Sequence, residues 1–109
     1  VLTGGVRGEW LLRWLVALSR LSTLDEKSLI GRELIIIKVS TTTKTRQDVS
    51  NLCQIMGARI ADITSTTMTL ELSDTPERVD LFESLLRPFS ILEVARTGVI
   101  AVQKGSGKI

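Results

Sequence analysis

The order of strand and helix patterns in the second half of this chain permits few folds. Residues 33–40 contain five apolar side chains, mostly β-branched, at positions 34–37 and 39, which indicates a strand buried on both faces. After it come a stretch with apolar residues at helical spacing, two more strand patterns, a second helical stretch and a final strand region. Each helix and strand in this order has its own start and stop signals.

The first helical stretch begins after a polar segment. Thr45 is the expected N-cap, because an acidic residue, Asp48, follows three positions later. Gly57 is the expected left-handed residue that ends the helix. The apolar stripe between them consists of Val49, Leu52, Cys53 and Met56. Cys53 is therefore predicted to be a small buried side chain rather than a reactive thiol.

Two strand patterns follow, at residues 58–64 and 67–73, joined by a tight turn at Ser65-Thr66. Residues 67–73 alternate strictly between apolar and polar, which predicts one buried and one polar face. Thr75-Pro76-Glu77 is a strong helix start, combining a cap, an early proline and an acid near the positive helix end.

The second helix is predicted to stop at Pro88. Its inner stripe is Val79, Phe82 and Leu86, widened by Leu81, Leu85 and Phe89. The last strand region covers residues 91–95 and 99–102, with a bulge or bend at Thr97-Gly98. Gly98 is expected to have a positive φ, which glycine adopts readily.

Strand, helix, strand, strand, helix, strand is the order of a ferredoxin-like α+β sandwich. We therefore predict a four-stranded antiparallel sheet with two helices on one face, preceded by a helix near the N-terminus. The other face of the sheet is left open. An apolar surface there needs a partner, which favours dimerisation or docking over an enclosed pocket.

Composition argues against several classes of function. The 109 residues include no histidine and a single cysteine, which excludes catalysis by imidazole, histidine metal sites and an intrachain disulfide. We expect no cofactor or metal on this chain, and a reducing compartment. The 14 Lys and Arg residues are scattered and aromatic residues make up 4%, so we expect no nucleic-acid binding.

The first residues carry no convincing membrane or export signal. The apolar stretch at residues 10–18 is interrupted by Arg13 and is shorter than the ~20 residues that a membrane helix needs, so we expect no membrane association. The chain starts at Val1 rather than Met, which suggests a fragment or a processed chain. The 43% hydrophobic content also favours a subunit interface, because a small domain has little interior.

Five short motifs in residues 32–104 occur together in a known family. They are Arg32-Glu33-Leu34 with Lys38-Val39, Lys44-Thr45-Arg46, Met68-Thr69-Leu70-Glu71-Leu72, Leu85-Leu86-Arg87-Pro88-Phe89 and Val94-Ala95-Arg96-Thr97-Gly98. In this order and spacing, the region resembles the C-terminal domain of the small regulatory subunit of acetolactate synthase, also called acetohydroxyacid synthase.

The resemblance implies a non-catalytic regulatory subunit that binds and stimulates a large catalytic subunit in branched-chain amino-acid biosynthesis. Thiamine diphosphate, Mg and FAD would then lie on the catalytic subunit. The location would be the cytoplasm, or a plastid or mitochondrion in a eukaryote. In the family, feedback inhibition by valine depends on the beginning of an ACT domain that precedes this region. Those residues are not in this chain, so we carry over no valine site.

The resemblance also divides the chain. Residues 1–21 are the expected remnant of the ACT domain, with a helix and a short strand, and residues 22–31 are the linker. Residues 32–104 form the C-terminal domain, and residues 105–109 are a disordered tail. Half an ACT domain cannot cover its own helix. We therefore expect that helix to pack on the main domain or on a second chain of a homodimer, through Trp10, Trp14, Leu15 and Leu18, together with Leu11.

Four polar residues of the motifs are candidates for contact with the catalytic subunit: Arg46, Arg87, Arg96 and Thr97. Replacing Arg96 with alanine would then weaken subunit association more than folding. The alternative is structural, with Arg46 merely in the first helical turn and Arg96 paired with a carboxylate such as Glu93 or Glu71. The alternative for the whole chain is a free-standing ferredoxin-like homodimer that binds a small ligand.

Overall fold

The computed structural model describes residues 28–107. They form five strands and two helices: β1 (Leu29–Ser40), α1 (Thr43–Met56), β2 (Arg59–Ile63), β3 (Thr67–Asp74), α2 (Pro76–Leu86), β4 (Ser90–Arg96) and β5 (Ile100–Gln103). No helix in this part of the chain is long and apolar enough to cross a membrane. The predicted N-terminal helix, with Trp10, Trp14, Leu15 and Leu18, lies outside the described residues.

The sheet is antiparallel, with the strand order β2-β3-β1-β4, and this confirms the ferredoxin-like α+β class. A fifth strand adds to the four that were predicted. β5 pairs with the first part of β1, from Leu29 opposite Gln103 to Arg32 opposite Ile100. β4 and β5 thus lie one after the other along the same edge of β1, and residues 97–99 between them form the predicted irregularity. Gly98 has the expected positive φ, at 83°.

β1 starts at Leu29, three residues before the start that we predict for the C-terminal domain. The backbone N–H of Lys104 donates to the Ser28 carbonyl at 2.8 Å and closes the β1–β5 ladder. Residues 29–31 of the predicted linker are therefore hydrogen-bonded strand. The predicted tail at 105–109 is described only as far as residue 107.

The N-cap of α1 is Thr42 rather than the predicted Thr45. The Thr42 hydroxyl accepts from the Thr45 backbone N–H at 3.1 Å, and the Thr45 hydroxyl accepts from the Thr42 N–H at 2.8 Å. Threonine thus occupies the position that glutamate or glutamine usually takes in such a reciprocal cap. The expectation was wrong because it relied on Asp48 as the acidic partner. Gly57 ends the helix in the left-handed region, as predicted.

α2 begins as predicted, with Thr75 as N-cap and Pro76 in the first turn. The helix ends at Leu86, and Arg87 is its C-terminal cap. Leu81 and Leu85 do not widen the buried stripe as expected, since they are 46% and 37% exposed. The buried residues of the helix are only those of its inner stripe, Val79, Phe82 and Leu86.

β1 is buried on one face only, which corrects the prediction of burial on both. Ile35, Ile37 and Val39 are fully buried against the helices, whereas Ile36 is 43% exposed on the opposite face. The two helices cover a single side of the sheet, so every second β1 side chain is left uncovered. A continuous apolar run does not reveal this difference.

The core fills the space between the helices and the inner face of the sheet. Its members are Ile35, Ile37, Val39, Val49, Cys53, Met56, Met68, Leu70, Leu72, Val79, Phe82 and Leu86. Cys53 is 2% exposed, which confirms it as a core side chain. Burial raises the pKa of its thiol to about 11.

Candidate functional site

Arg96 is the centre of the largest ionic cluster among residues 28–107. Its guanidinium donates to both carboxylate oxygens of Glu33, at 2.8 and 2.7 Å, and to Glu83 at 2.9 Å. Asp80 lies 2.8 Å from the same guanidinium. These contacts, first among them the hydrogen bond to Glu33, raise the pKa of Arg96. The cluster connects β1, α2 and the end of β4.

Arg96 is therefore paired with carboxylates, as the structural alternative required, but neither suggested partner is among the three. Glu93 instead forms an ion pair with Lys38 at 2.9 Å. Glu93 and Arg96 are three residues apart, so they project to opposite faces of the sheet. Glu71 lies opposite Ile36, on the open face, away from Arg96. Strand alternation could have excluded Glu93 from the sequence, whereas excluding Glu71 required the register between β3, β1 and β4.

The carboxylate of Glu33 has a second function in the irregularity between β4 and β5. Besides Arg96, its Oε2 accepts the backbone N–H of Gly98 at 3.3 Å. Glu33 is 5% exposed, and the two donors compensate the burial of its charge. Sequence reasoning did not identify Glu33 as a structural carboxylate. The available signal was a charged residue at the start of a long apolar strand.

Thr97 completes the same irregular segment. Its backbone N–H donates to the Leu34 carbonyl at 3.1 Å, and its hydroxyl accepts the Leu34 N–H at 3.1 Å. The side chain thus replaces a backbone acceptor where the ladder is interrupted. Both Arg96 and Thr97 are engaged in holding the fold.

Arg46 also has intramolecular partners. It lies in α1, and its Nη2 donates to the Thr64 carbonyl at 2.6 Å and to the Thr41 hydroxyl at 3.4 Å. The arginine thereby ties the start of α1 to the turn between β2 and β3. It does more than occupy the first helical turn, but its contacts are again structural.

Arg87 differs from the other three candidates. It is exposed at the C-terminal end of α2, and its guanidinium makes no hydrogen bond or ion pair within the described residues. An arginine held at the surface by its helix, with all of its donors available, suits contact with a carboxylate of another molecule. The structure does not bring Arg87 together with Arg46 or with the Arg96 cluster.

Arg78 makes internal contacts that were not predicted from the sequence. It donates through Nε to Asp74 at 2.8 Å and through Nη2 to the Met56 carbonyl at 3.0 Å. The second bond places a positive charge at the C-terminal end of α1, which has no basic residue in its own last turn.

Within residues 28–107, no group of three or more cysteine or acidic side chains is arranged to hold a metal ion.

Comparison with known proteins gives a consistent set of relatives. Residues 32–105 match a family model described as the small subunit of acetolactate synthase. The chain is 29% identical over 94 residues to the acetolactate synthase small subunit of Mycolicibacterium smegmatis and 33% identical over 99 residues to that of Haemophilus influenzae. These alignments cover 86% and 90% of this chain. They cover only 55% and 61% of the two relatives, so the chain spans little more than half of their length.

The fold has a relative among solved structures. The crystal structure of the acetolactate synthase small subunit from Thermotoga maritima superimposes with a TM-score of 0.72 at 20% sequence identity. The superposition covers 94% of this chain and 68% of that one. A plant relative, small subunit 2 of Arabidopsis thaliana acetolactate synthase, is named chloroplastic and is 32% identical over 88% of this chain and 20% of its own length.

Proposed function

This chain belongs to the acetolactate synthase small-subunit family, and we propose that it acts as a non-catalytic regulatory subunit or as part of one. Its partner is a large catalytic subunit, whose activity it stimulates in the synthesis of valine, leucine and isoleucine. The observation that carries the proposal is the match of residues 32–105 to the family model. It is supported by the names of the three relatives described above, each of which is a small subunit of acetolactate synthase.

The chemistry belongs to the catalytic subunit in this proposal. Thiamine diphosphate, Mg and FAD bind there, and this chain contributes contacts rather than reacting groups. Stimulation requires that the chain bind the active arrangement of the catalytic subunit more tightly than the inactive one, because only differential affinity shifts a population. The compartment is that of the catalytic subunit, either cytoplasm or, as the names of plant relatives suggest, a plastid.

Arg87 is our first choice for a contact with the catalytic subunit. Arg46, Arg96 and Thr97 act mainly by holding the shape of the domain, since each is engaged inside it. Feedback inhibition by valine belongs, in this proposal, to the ACT domain that precedes this region in the family, and residues 32–104 contribute the activating contacts.

The test is acetolactate formation by a purified catalytic subunit from the same source, titrated with this chain in the presence and absence of valine. Saturable stimulation that valine does not reverse is the expected result. Unchanged activity together with failure to co-elute would contradict partner binding by this chain. A small ligand bound tightly with no catalytic subunit present would instead favour the free-standing homodimer.

A further inference from the structure

The open face of the sheet is apolar at one end and polar over the rest. β3 presents Thr67, Thr69, Glu71 and Ser73 on that face, because its apolar residues Met68, Leu70 and Leu72 are buried on the other. Lys38 and Glu93 add an ion pair there. The polar part of the face can remain in contact with water. An apolar binding partner is therefore expected only at the remaining end, where β5 extends β1.

Five apolar side chains lie on the open face at that end. We call them the extension patch: Ile30, Leu34, Ile36, Ile100 and Val102. Their shared face follows from the register, since Ile30 is opposite Val102 and Arg32 is opposite Ile100, and β1 alternates without interruption from Ile30 to Ile36. Ile30 and Ile36 are 40% and 43% exposed, and Ile100 and Val102 are 55% and 63% exposed.

We propose that residues 10–18 of the same chain dock on the extension patch. This segment contains Trp10, Leu11, Trp14, Leu15 and Leu18, which recur at the three- and four-residue spacing of one helix face. An apolar stripe of this kind and an exposed apolar sheet surface are complementary, because packing them together removes both from water. The inference does not depend on the proposed function.

The position at which the chain enters the domain favours this occupant. The described residues begin at Ser28, which closes the β1–β5 ladder, and Ile30 of the patch follows two residues later. Residues 19–28 can span up to about 33 Å at ~3.3 Å per residue. The patch is about 20 Å long from Ile30 to Ile36 on the same rise. The segment can therefore reach every part of the patch.

Covalent connection also favours the same chain over a second copy. A short tether gives the segment an effective concentration in the mM range at the patch. A second copy of the chain at μM concentration competes poorly with the tethered segment for the patch. Arg32, which lies among the patch residues on β1, does not prevent docking, because its aliphatic stem can lie along an apolar surface while its charge stays in water.

Tryptophan fluorescence of the full chain tests the inference directly, since Trp10 and Trp14 are its only two tryptophans. Docked indoles emit at shorter wavelength than indoles in water and are protected from acrylamide. We expect the double variant Ile30→Thr/Val102→Thr to shift the emission to longer wavelength and to increase quenching severalfold. Threonine keeps the β-branched shape and strand propensity, so the sheet is retained.

The chain offers a matched control with the same change of composition, Ile63→Thr/Val94→Thr. Ile63 and Val94 are 50% and 41% exposed, and both are on edge strands and on the other face of the sheet. The control should leave the emission unchanged. An equal shift in both variants, or water-like emission in the unmodified chain, would overturn the inference. Emission that depends on protein concentration would overturn it in favour of a second copy.

A second measurement applies if the double variant fails to fold. Docked indole rings displace the methyl resonances of Ile30, Ile100 and Val102 in NMR spectra of the full chain. Replacing Trp10 and Trp14 with leucine should move these methyl signals and leave that of Ile63 in place. Methyl signals of the patch that do not respond would contradict docking.

Discussion

The guanidinium of Arg96 lies 2.7 Å from the carboxylate of Glu33, and that carboxylate also accepts the backbone N–H of Gly98. One buried acid thus holds both the last residue of β4 and the glycine at which the chain bends toward β5. The pair sets the position of the β5 extension relative to the main sheet.

Replacing Arg96 with alanine should destabilise the fold. The sequence alone predicted the opposite ranking, with a larger effect on subunit association than on folding. Glu33 would keep a buried charge without its main partner, and we expect the free energy of unfolding to fall by about 2 to 4 kcal/mol, somewhat less than for a fully buried pair. Urea unfolding measures this loss. Arg87→Ala, at an exposed position, should change stability by less than ~0.5 kcal/mol. Unchanged stability of the Arg96 variant would refute a structural role.

Replacing Arg87 with alanine should weaken stimulation of the catalytic subunit while leaving folding intact. A lost charge-assisted hydrogen bond at an interface costs on the order of 1.5 to 3 kcal/mol, or roughly 10- to 100-fold in the concentration needed for half-maximal stimulation. The activity titration measures that concentration. Arg59→Ala is the matched control, because Arg59 is exposed on β2 and outside the family motifs. Equal effects of the two substitutions would contradict a specific contact between Arg87 and the catalytic subunit.

Gly98→Ala should cost about 1 to 2 kcal/mol of stability because the residue has φ 83°, where a side chain is unfavourable. No atom lies within 4 Å of the added Cβ, so the cost is one of backbone conformation rather than of space. Gly31→Ala is the control, since its Cβ would meet Val99 Cγ1 at an ordinary 3.5 Å. Thermal unfolding of the two variants compares them, and a larger loss at Gly31 would contradict this account.

Cys53 should make stability fall in alkaline solution. Its folded pKa of about 11 exceeds the ordinary value of 9.0, so the folded protein binds more protons than the unfolded chain between these values. Stability therefore decreases as pH rises from 9.0 towards 11, by up to about 2 kcal/mol. Cys53→Ala, which cannot ionise, should lack this decrease. Parallel pH profiles for the two proteins would rule out the thiol as the cause.

Asp74 should contribute stability that is lost in acid. Hydrogen bonds from the Thr75 backbone N–H and from Arg78 lower its pKa below the ordinary value of 3.8. The contribution is complete above 3.8 and disappears as pH falls through the lower folded value. Asp74→Asn should thus lose about 1 kcal/mol at neutral pH and converge with the unmodified protein in acid. Asp48→Asn, at an exposed α1 position, is the control and should change the free energy of unfolding at neutral pH by less than ~0.5 kcal/mol.

Much of the candidate site could not be predicted from local patterns. The motifs identified Arg46, Arg96 and Thr97 as notable, yet their partners Thr64, Glu33 and Leu34 are 18, 63 and 63 positions away. Such pairs depend on strand register, which cannot be read from local sequence patterns. Arg78 was missed for the same reason, since its acceptor at Met56 belongs to the other helix.

The sequence by itself determined the order of the elements, the helix cap at Thr75, the glycine at position 57 and the break at Thr97-Gly98. These depend on interactions within a few residues, where backbone conformation and side-chain capping dominate. The tertiary structure alone decided that Ile36 is exposed while Ile35 and Ile37 are buried. It also decided that β5 continues the edge beyond β4 and that Glu33 holds Arg96. Burial and ion pairing depend on which distant elements cover a residue, and that follows only once the helices have packed on one face of the sheet.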